Sequence, residues 1–242
     1  MICPKCAADQ PDDAQACSEC GIVFAKYARY QAAQERREEQ RQQEIEALPI
    51  PQADNELVFY GRAFVLLLLL WFSWGLIPAS IASNAAGQSF LHLINLPFHE
   101  AGHIVFRPFG AVITSLGGSL GQLLMPLVCL FALWFKTHDA FGAGVCAWWF
   151  GENFLDMAPY INDARSRSLP LLGGNFGDTS PYGFHDWEFV LGETGLSRFD
   201  HTFASIAHVS GSVVMLLAIA WCAYWLKRQY GLMGASSRNH EG

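Results

Sequence analysis

Five stretches of this chain run almost without charge over lengths that suit a membrane-spanning helix. Ala63–Ala82 is wholly uncharged, as is the shorter Ser119–Phe135. Gln88–Phe106 is mostly Leu, Ile, Phe, Ala and Pro, broken by His92, Asn95 and the run His99-Glu100-Ala101-Gly102-His103. Ala140–Tyr160 is apolar apart from Glu152, Asn153 and Asp156, and Thr202–Leu226 apart from His208 and a few Ser. A helix needs about 20 apolar residues to cross a bilayer. The pattern therefore predicts an all-α, multi-pass membrane protein, a bundle of about five transmembrane helices (four to six).

The first 60 residues follow a different pattern. Residues 1–27 hold four cysteines and little apolar surface. Residues 28–60 are a stalk or linker, rich in Gln, Glu, Arg and Ala before Pro49-Ile50-Pro51. Mixed signs at Glu35, Arg36, Arg37, Glu38, Glu39 and Arg41 suit a solvated helix. Residues 61–228 form the polytopic domain, with a long connection at 161–201, and 229–242 a polar tail. Composition agrees: the chain is 52% hydrophobic and 15% charged, and nearly half of its Lys and Arg precede residue 63. Most of its 8 Trp lie in or near the apolar stretches, at interface depth or between helices.

Cys3-Pro4-Lys5-Cys6 and Cys17-Ser18-Glu19-Cys20 are two CxxC knuckles. Two knuckles complete a tetrahedral four-cysteine zinc site, closed and therefore structural. So short a segment cannot build a core, so metal binding supplies its folding free energy. Gly21-Ile22-Val23-Phe24 would be the last strand of a small zinc ribbon. Asp9, Asp12, Asp13 and Glu19 outnumber Lys5 and Lys26, which disfavours nucleic acid and leaves a protein as the ribbon's expected partner.

Zinc thiolates require a reducing compartment, so the ribbon is expected in the cytosol. Passing inward and outward from there, the His99–His103 span returns to the cytosol at Arg107, and the fourth span at Arg165 and Arg167. Lys136 dissents. The last span would leave Lys227 and Arg228 on the opposite side, so its orientation stays open.

His99 and His103, four apart on a helix, share a face and can bind one metal ion. Glu100 stands beside them as a general base for water. Ionisable groups inside a membrane are functional by default. A zinc site of this kind needs a third protein ligand and an open fourth position. Asp156 is the first expectation, since its distance from Arg165 puts it near the depth of the histidine pair. Asp163 is the alternative, and Pro159 between them is expected to disturb the helix. Glu152 and Asn153 would orient a ligand or bind substrate backbone. His185, Asp186 and His201 are held in reserve, and His92 and His208 read as packing histidines. Gly117, Gly118 and Gly121 read first as close helix packing and second as room for a substrate backbone.

Phe98-His99-Glu100-Ala101-Gly102-His103, the Gly-rich stretch after it and Leu155-Asp156 resemble the site-two protease family of intramembrane zinc metalloproteases, over about residues 60–165. The resemblance implies a zinc ion held within the membrane by His99, His103 and a later Asp, with Glu100 catalytic. It also implies membrane-anchored protein substrates. The family usually continues its later motif with Gly, where this chain has Met157, and Asn162-Asp163-Ala164 competes for the role. Two other classes fit the sequence: a non-proteolytic protein that keeps the zinc site as a structural or regulatory element, and a membrane-tethered adaptor that works through its ribbon. The intact Glu100 argues against both, because binding zinc requires the histidines and not that glutamate. The 161–201 connection reads equally as a lid over the metal and as a surface loop.

Overall fold

A computed structural model describes residues 1–46, 49–52, 55–170 and 185–240. The chain divides into two compact units, Met1–Leu48 and Pro49–Gly242.

In the first unit the two knuckles repeat one another with an offset of 14 residues. Each starts with a cysteine whose N–H donates across its loop, Cys3 to Ala8 O and Cys17 to Ile22 O, both at 2.9 Å. Each closes on a left-handed residue, Ala7 (φ 59°) and Gly21 (φ 72°). Each is pinned by one antiparallel bridge, Ile2 with Asp9 and Ala16 with Val23. The expected last strand is thus a single bridge pair, and helix α1 (Phe24–Glu46) begins one residue later. No alternation of apolar residues follows Val23, so there is nothing to extend a strand. α1 takes up much of the polar stalk, carrying none of the apolar stripe that would bury a face.

The second unit is helical: α2 (Glu56–Leu76), α3 (Phe90–Phe106), α4 (Ala111–Phe135), α5 (Ala140–Asn162), the short α6 (Asp186–Glu193) and α7 (Asp200–His240). Among the described residues, three helices are long and apolar enough to cross a membrane: Glu56–Leu76, Ala111–Phe135 and Ser197–Gly231. Trp71 and Trp74 on α2, like Leu216 and Leu217 on α7, lie exposed, as lipid-facing side chains do. The other two expected spans correspond to α3 and α5. α3 has 17 residues, which at about 1.5 Å each falls short of the roughly 30 Å hydrocarbon core. α5 has 23 residues, but Gly, Ala and buried polar groups replace a continuous aliphatic run.

α5 is the central helix. It packs along α7 and against α4, while α3 packs along α4 and α2 against α7. Met157, Ala158 and Ile161 of α5 form an apolar core with Ala204 and Ala207 of α7. Small residues permit these approaches. A Cβ on Gly151 would stand 2.8 Å from Gly211 O. Pro159 does not break α5, which runs on to Asn162. The Asp163 N–H donates to Pro159 O at 3.0 Å and closes the helix. Pro159 lacks the N–H that would bond Leu155 O, and the helix carries on past it for one more turn.

Candidate metal centre

The i, i+4 spacing brings His99 and His103 to one face of α3, their rings 4.9 Å apart. Both are oriented through Nδ1. Gln122 Oε1 of α4 accepts from His99 Nδ1 at 2.7 Å, and the Thr114 carbonyl accepts from His103 Nδ1 at 2.8 Å. With Nδ1 donating, each imidazole presents Nε2 as its ligand atom.

α4 can come this close because α3 and α4 meet glycine to glycine. A Cβ on Gly102 would lie 2.0 Å from Gly117 O, and one on Gly121 would lie 2.3 Å from Phe98 O. Gly102, Gly117 and Gly121 are thus packing positions. Gly118 differs, since a Cβ there would meet His99 Nε2 and His103 Nε2 and not backbone.

The carboxylate that meets the two imidazoles is Asp186. Its Oδ2 lies 3.3 Å from His99 Nε2 and 3.4 Å from His103 Nε2. Tetrahedral ligand atoms about 2.0–2.1 Å from zinc sit about 3.3 Å apart. Two imidazole nitrogens and one carboxylate oxygen at these separations therefore fit around a single zinc-sized ion. Asp186 begins α6, and Ser115 Oγ donates to its Oδ1 at 3.2 Å. Tyr160 of α5 touches it twice, accepting from its N–H at 3.1 Å and donating to Oδ2 at 3.4 Å. Burial pushes the Asp186 carboxyl up, but the His103 and His99 side chains outweigh it and bring the pKa down to about 2. The third group is therefore a carboxylate at any physiological pH.

Asp156, the first expectation for this position, sits elsewhere. Its Oδ1 is 2.9 Å from His92 Nδ1, and its Oδ2 accepts from Asn95 Nδ2 at 3.0 Å. Asn95 also donates to Glu152 Oε2 at 3.0 Å, and Trp149 Nε1 donates to Asn95 Oδ1 at 2.8 Å, which fixes the amide with its NH₂ towards the carboxylates. The deep carboxylate does have a partner, namely His92 and an amide. The depth argument misplaced it because Arg165 lies beyond the end of α5 and turns to Asp200 at 2.7 Å, so it does not mark the depth of the helix. Glu152 is fully buried in this second polar group, and Asn153, equally buried, donates back to Trp149 O at 2.9 Å; neither hydrogen-bonds the imidazoles. Asp163 caps the end of α5 instead of joining the centre. It accepts from Ser166 Oγ, from Ser168 N and Oγ, and from Leu169 N at 2.6–3.0 Å. His185 is fully buried with Nε2 3.5 Å from Asp163 Oδ2, and His201 is exposed beside Asp200.

Glu100 is half-buried on the same helix turn as the pair, and among the described residues nothing hydrogen-bonds its carboxylate. His208 is a packing histidine, 3.0 Å from Ile77 O. Residues 171–184, the middle of the long connection read as lid or loop, lie outside the described residues; its end is α6. Gln122, Thr114, Ser115 and Tyr160 carry no metal-site signature in sequence, being ordinary polar residues in apolar helices.

The second cluster is the ribbon. Cys3, Cys6, Cys17 and Cys20 bring their sulfurs within 4.8 Å of one another. Cys3–Cys20 and Cys6–Cys17 are 3.7 and 3.6 Å apart. Sulfurs about 2.3 Å from one zinc ion would stand about 3.8 Å apart, so the four thiols form a metal-binding cluster with zinc's dimensions.

Comparison of the chain with protein-family models, with curated proteins and with solved structures found no match.

Proposed function

We propose that this chain is an intramembrane zinc metalloendopeptidase that hydrolyses peptide bonds of membrane-anchored proteins. The observation that carries the reading is the convergence of His99 Nε2, His103 Nε2 and Asp186 Oδ2, with Glu100 next to His99 on the same helix. His99, His103 and Asp186 would hold a zinc ion, which would supply Lewis acidity towards the scissile carbonyl and water. Gln122 and the Thr114 carbonyl keep the imidazoles turned inward. Glu100 takes the proton from the attacking water and returns it to the leaving nitrogen.

A site on an apolar helix suits a substrate that is itself membrane-anchored. A substrate helix must unwind there, because its backbone carbonyls are otherwise closed in hydrogen bonds. In this reading α3 and α5 complete a five-span bundle around the centre, and the ribbon lies in the cytosol, where its thiolates stay reduced and can hold a protein partner.

Membranes containing the native protein or Glu100→Gln, compared by quantitative proteomics, test the activity. The variant keeps its zinc and loses the base, so uncut membrane-anchored proteins accumulate and their released fragments disappear. An acid–base residue contributes at least about 10²-fold in rate. Identical membranes, with a clear effect only on deleting the ribbon, would favour the adaptor reading that the separate Met1–Leu48 unit supports.

A further inference from the structure

His99 and His103 stand on a helix wedged against α4, but the third ligand does not. Asp186 lies 87 residues beyond His99, at the first position of an eight-residue helix. A helix so short has no stability of its own. Its position, and that of its carboxylate, must come from contacts with the neighbouring helices.

Resting on the metal-centre reading above, we propose that Tyr160 is the positioning residue of the centre, holding Asp186 where its carboxylate can complete the ligand set. The phenol binds Asp186 at two points, the backbone N–H at 3.1 Å and Oδ2 at 3.4 Å. One bond places the residue and the other places its side chain. Ser115 bonds the other oxygen, Oδ1, whereas Tyr160 bonds both the backbone of Asp186 and the oxygen that meets the histidines.

The Tyr160 ring is braced in turn. It stacks on His185 with centroids 4.1 Å apart and planes tilted 32°. His185 is fully buried, caps α6 by accepting from Glu188 N at 3.2 Å, and turns Nε2 towards Asp163 Oδ2. Tyr160 and Asp163 are one turn apart at the end of α5. That end therefore meets the start of α6 through the Tyr160 ring, the Asp163 carboxylate and the Tyr160 hydroxyl, and of these the hydroxyl bonds Asp186.

Cobalt titration of the full-length protein in detergent tests this without any substrate. The thiolate charge-transfer bands follow the ribbon, and the histidine–carboxylate site is read as the further d–d absorption that appears once those bands have saturated. Tyr160→Phe keeps the ring and its stack and removes only the hydroxyl. Its affinity at the histidine site should fall about 10–100-fold, the usual cost of losing a group that orients a ligand, with altered d–d bands and an unchanged ribbon signal. In an Asp186→Asn background the same change should add little, because its effect runs through that carboxylate. A purely structural role would instead give equal losses in both backgrounds, and that would overturn the proposal. Native affinity and bands for Tyr160→Phe would overturn it too. Asp186→Asn alone separates the two levels. If it weakens binding while Tyr160→Phe does not, only the role of Tyr160 falls. If it too binds normally, the three-ligand centre falls.

Discussion

Gly118 of α4 approaches His99 of α3 so closely that a β-carbon on the glycine would stand 2.4 Å from His99 Nε2; His103 Nε2 would be 2.6 Å away. The two Nε2 atoms thus occupy the place that a side chain on residue 118 would take. A single methyl group is enough to test the centre. Gly118→Ala should abolish metal binding at the histidines, because an imidazole must swing away to admit the methyl. Gly75→Ala, on α2 where nothing lies within 4 Å, should leave metal content native. Elemental analysis of the purified variants checks both, and full histidine-site occupancy in Gly118→Ala would contradict the geometry.

Asp156 and Asp186 offer the same functional group to different partners, and their substitutions should separate. Asp156→Asn breaks the bond to His92 or Asn95 inside a buried network, at about 1–3 kcal/mol. It should lower thermal stability and leave the metal count alone. Asp186→Asn should weaken metal binding at the two imidazoles and lower its occupancy, with a smaller loss of stability. If Asp156→Asn depletes the metal instead, the third ligand is the one the sequence first suggested.

The ribbon's two knuckles differ at one conformationally decisive position. Gly21 holds its left-handed φ without cost, whereas Ala7 adopts φ 59° at a penalty of roughly 1–2 kcal/mol. Ala7→Gly should therefore slow zinc loss to a chelator, followed with a chromophoric competitor, and Gly21→Ala should hasten it. Cys3→Ser with Cys6→Ser should remove one zinc per chain while the histidine site keeps its own.

Asp163 sets the acid limit of the α5–α6 junction. Burial raises its pKa, but bonds from Ser166, Leu169 and Ser168 outweigh that and leave it below the usual carboxylate range. A depressed folded value means that the stabilisation is complete above the unfolded pKa of about 3.9. It is lost as pH falls through the lower folded value. Trp187, whose indole donates to Ser119 Oγ at 3.2 Å, sits at this junction, and its share of the fluorescence is the part that Trp187→Phe removes. The native signal should hold at pH 5 and change below about 4. Asp163→Asn should flatten that transition, and an unaltered acid transition in the variant would assign it to another carboxylate.

Local geometry explains what the sequence alone determined. A CxxC knuckle folds within a few residues, so paired spacing was enough to announce the four-cysteine cluster. Residues four apart share a helix face wherever the helix lies, so His99 and His103 were legible as a pair. Long uncharged runs marked α2, α4 and α7 as membrane-helix candidates, since transfer into hydrocarbon depends on composition along the segment. The tertiary structure decided which carboxylate faces the pair. Asp156, Asp163 and Asp186 are chemically alike. Which of them arrives depends on how α5 crosses α3 and where the chain returns at α6, and no local periodicity encodes either. Likewise Gly102, Gly117, Gly118 and Gly121 are indistinguishable in sequence. Only the rotation of α4 against α3 sets three of them into the interface and leaves Gly118 facing the two nitrogens.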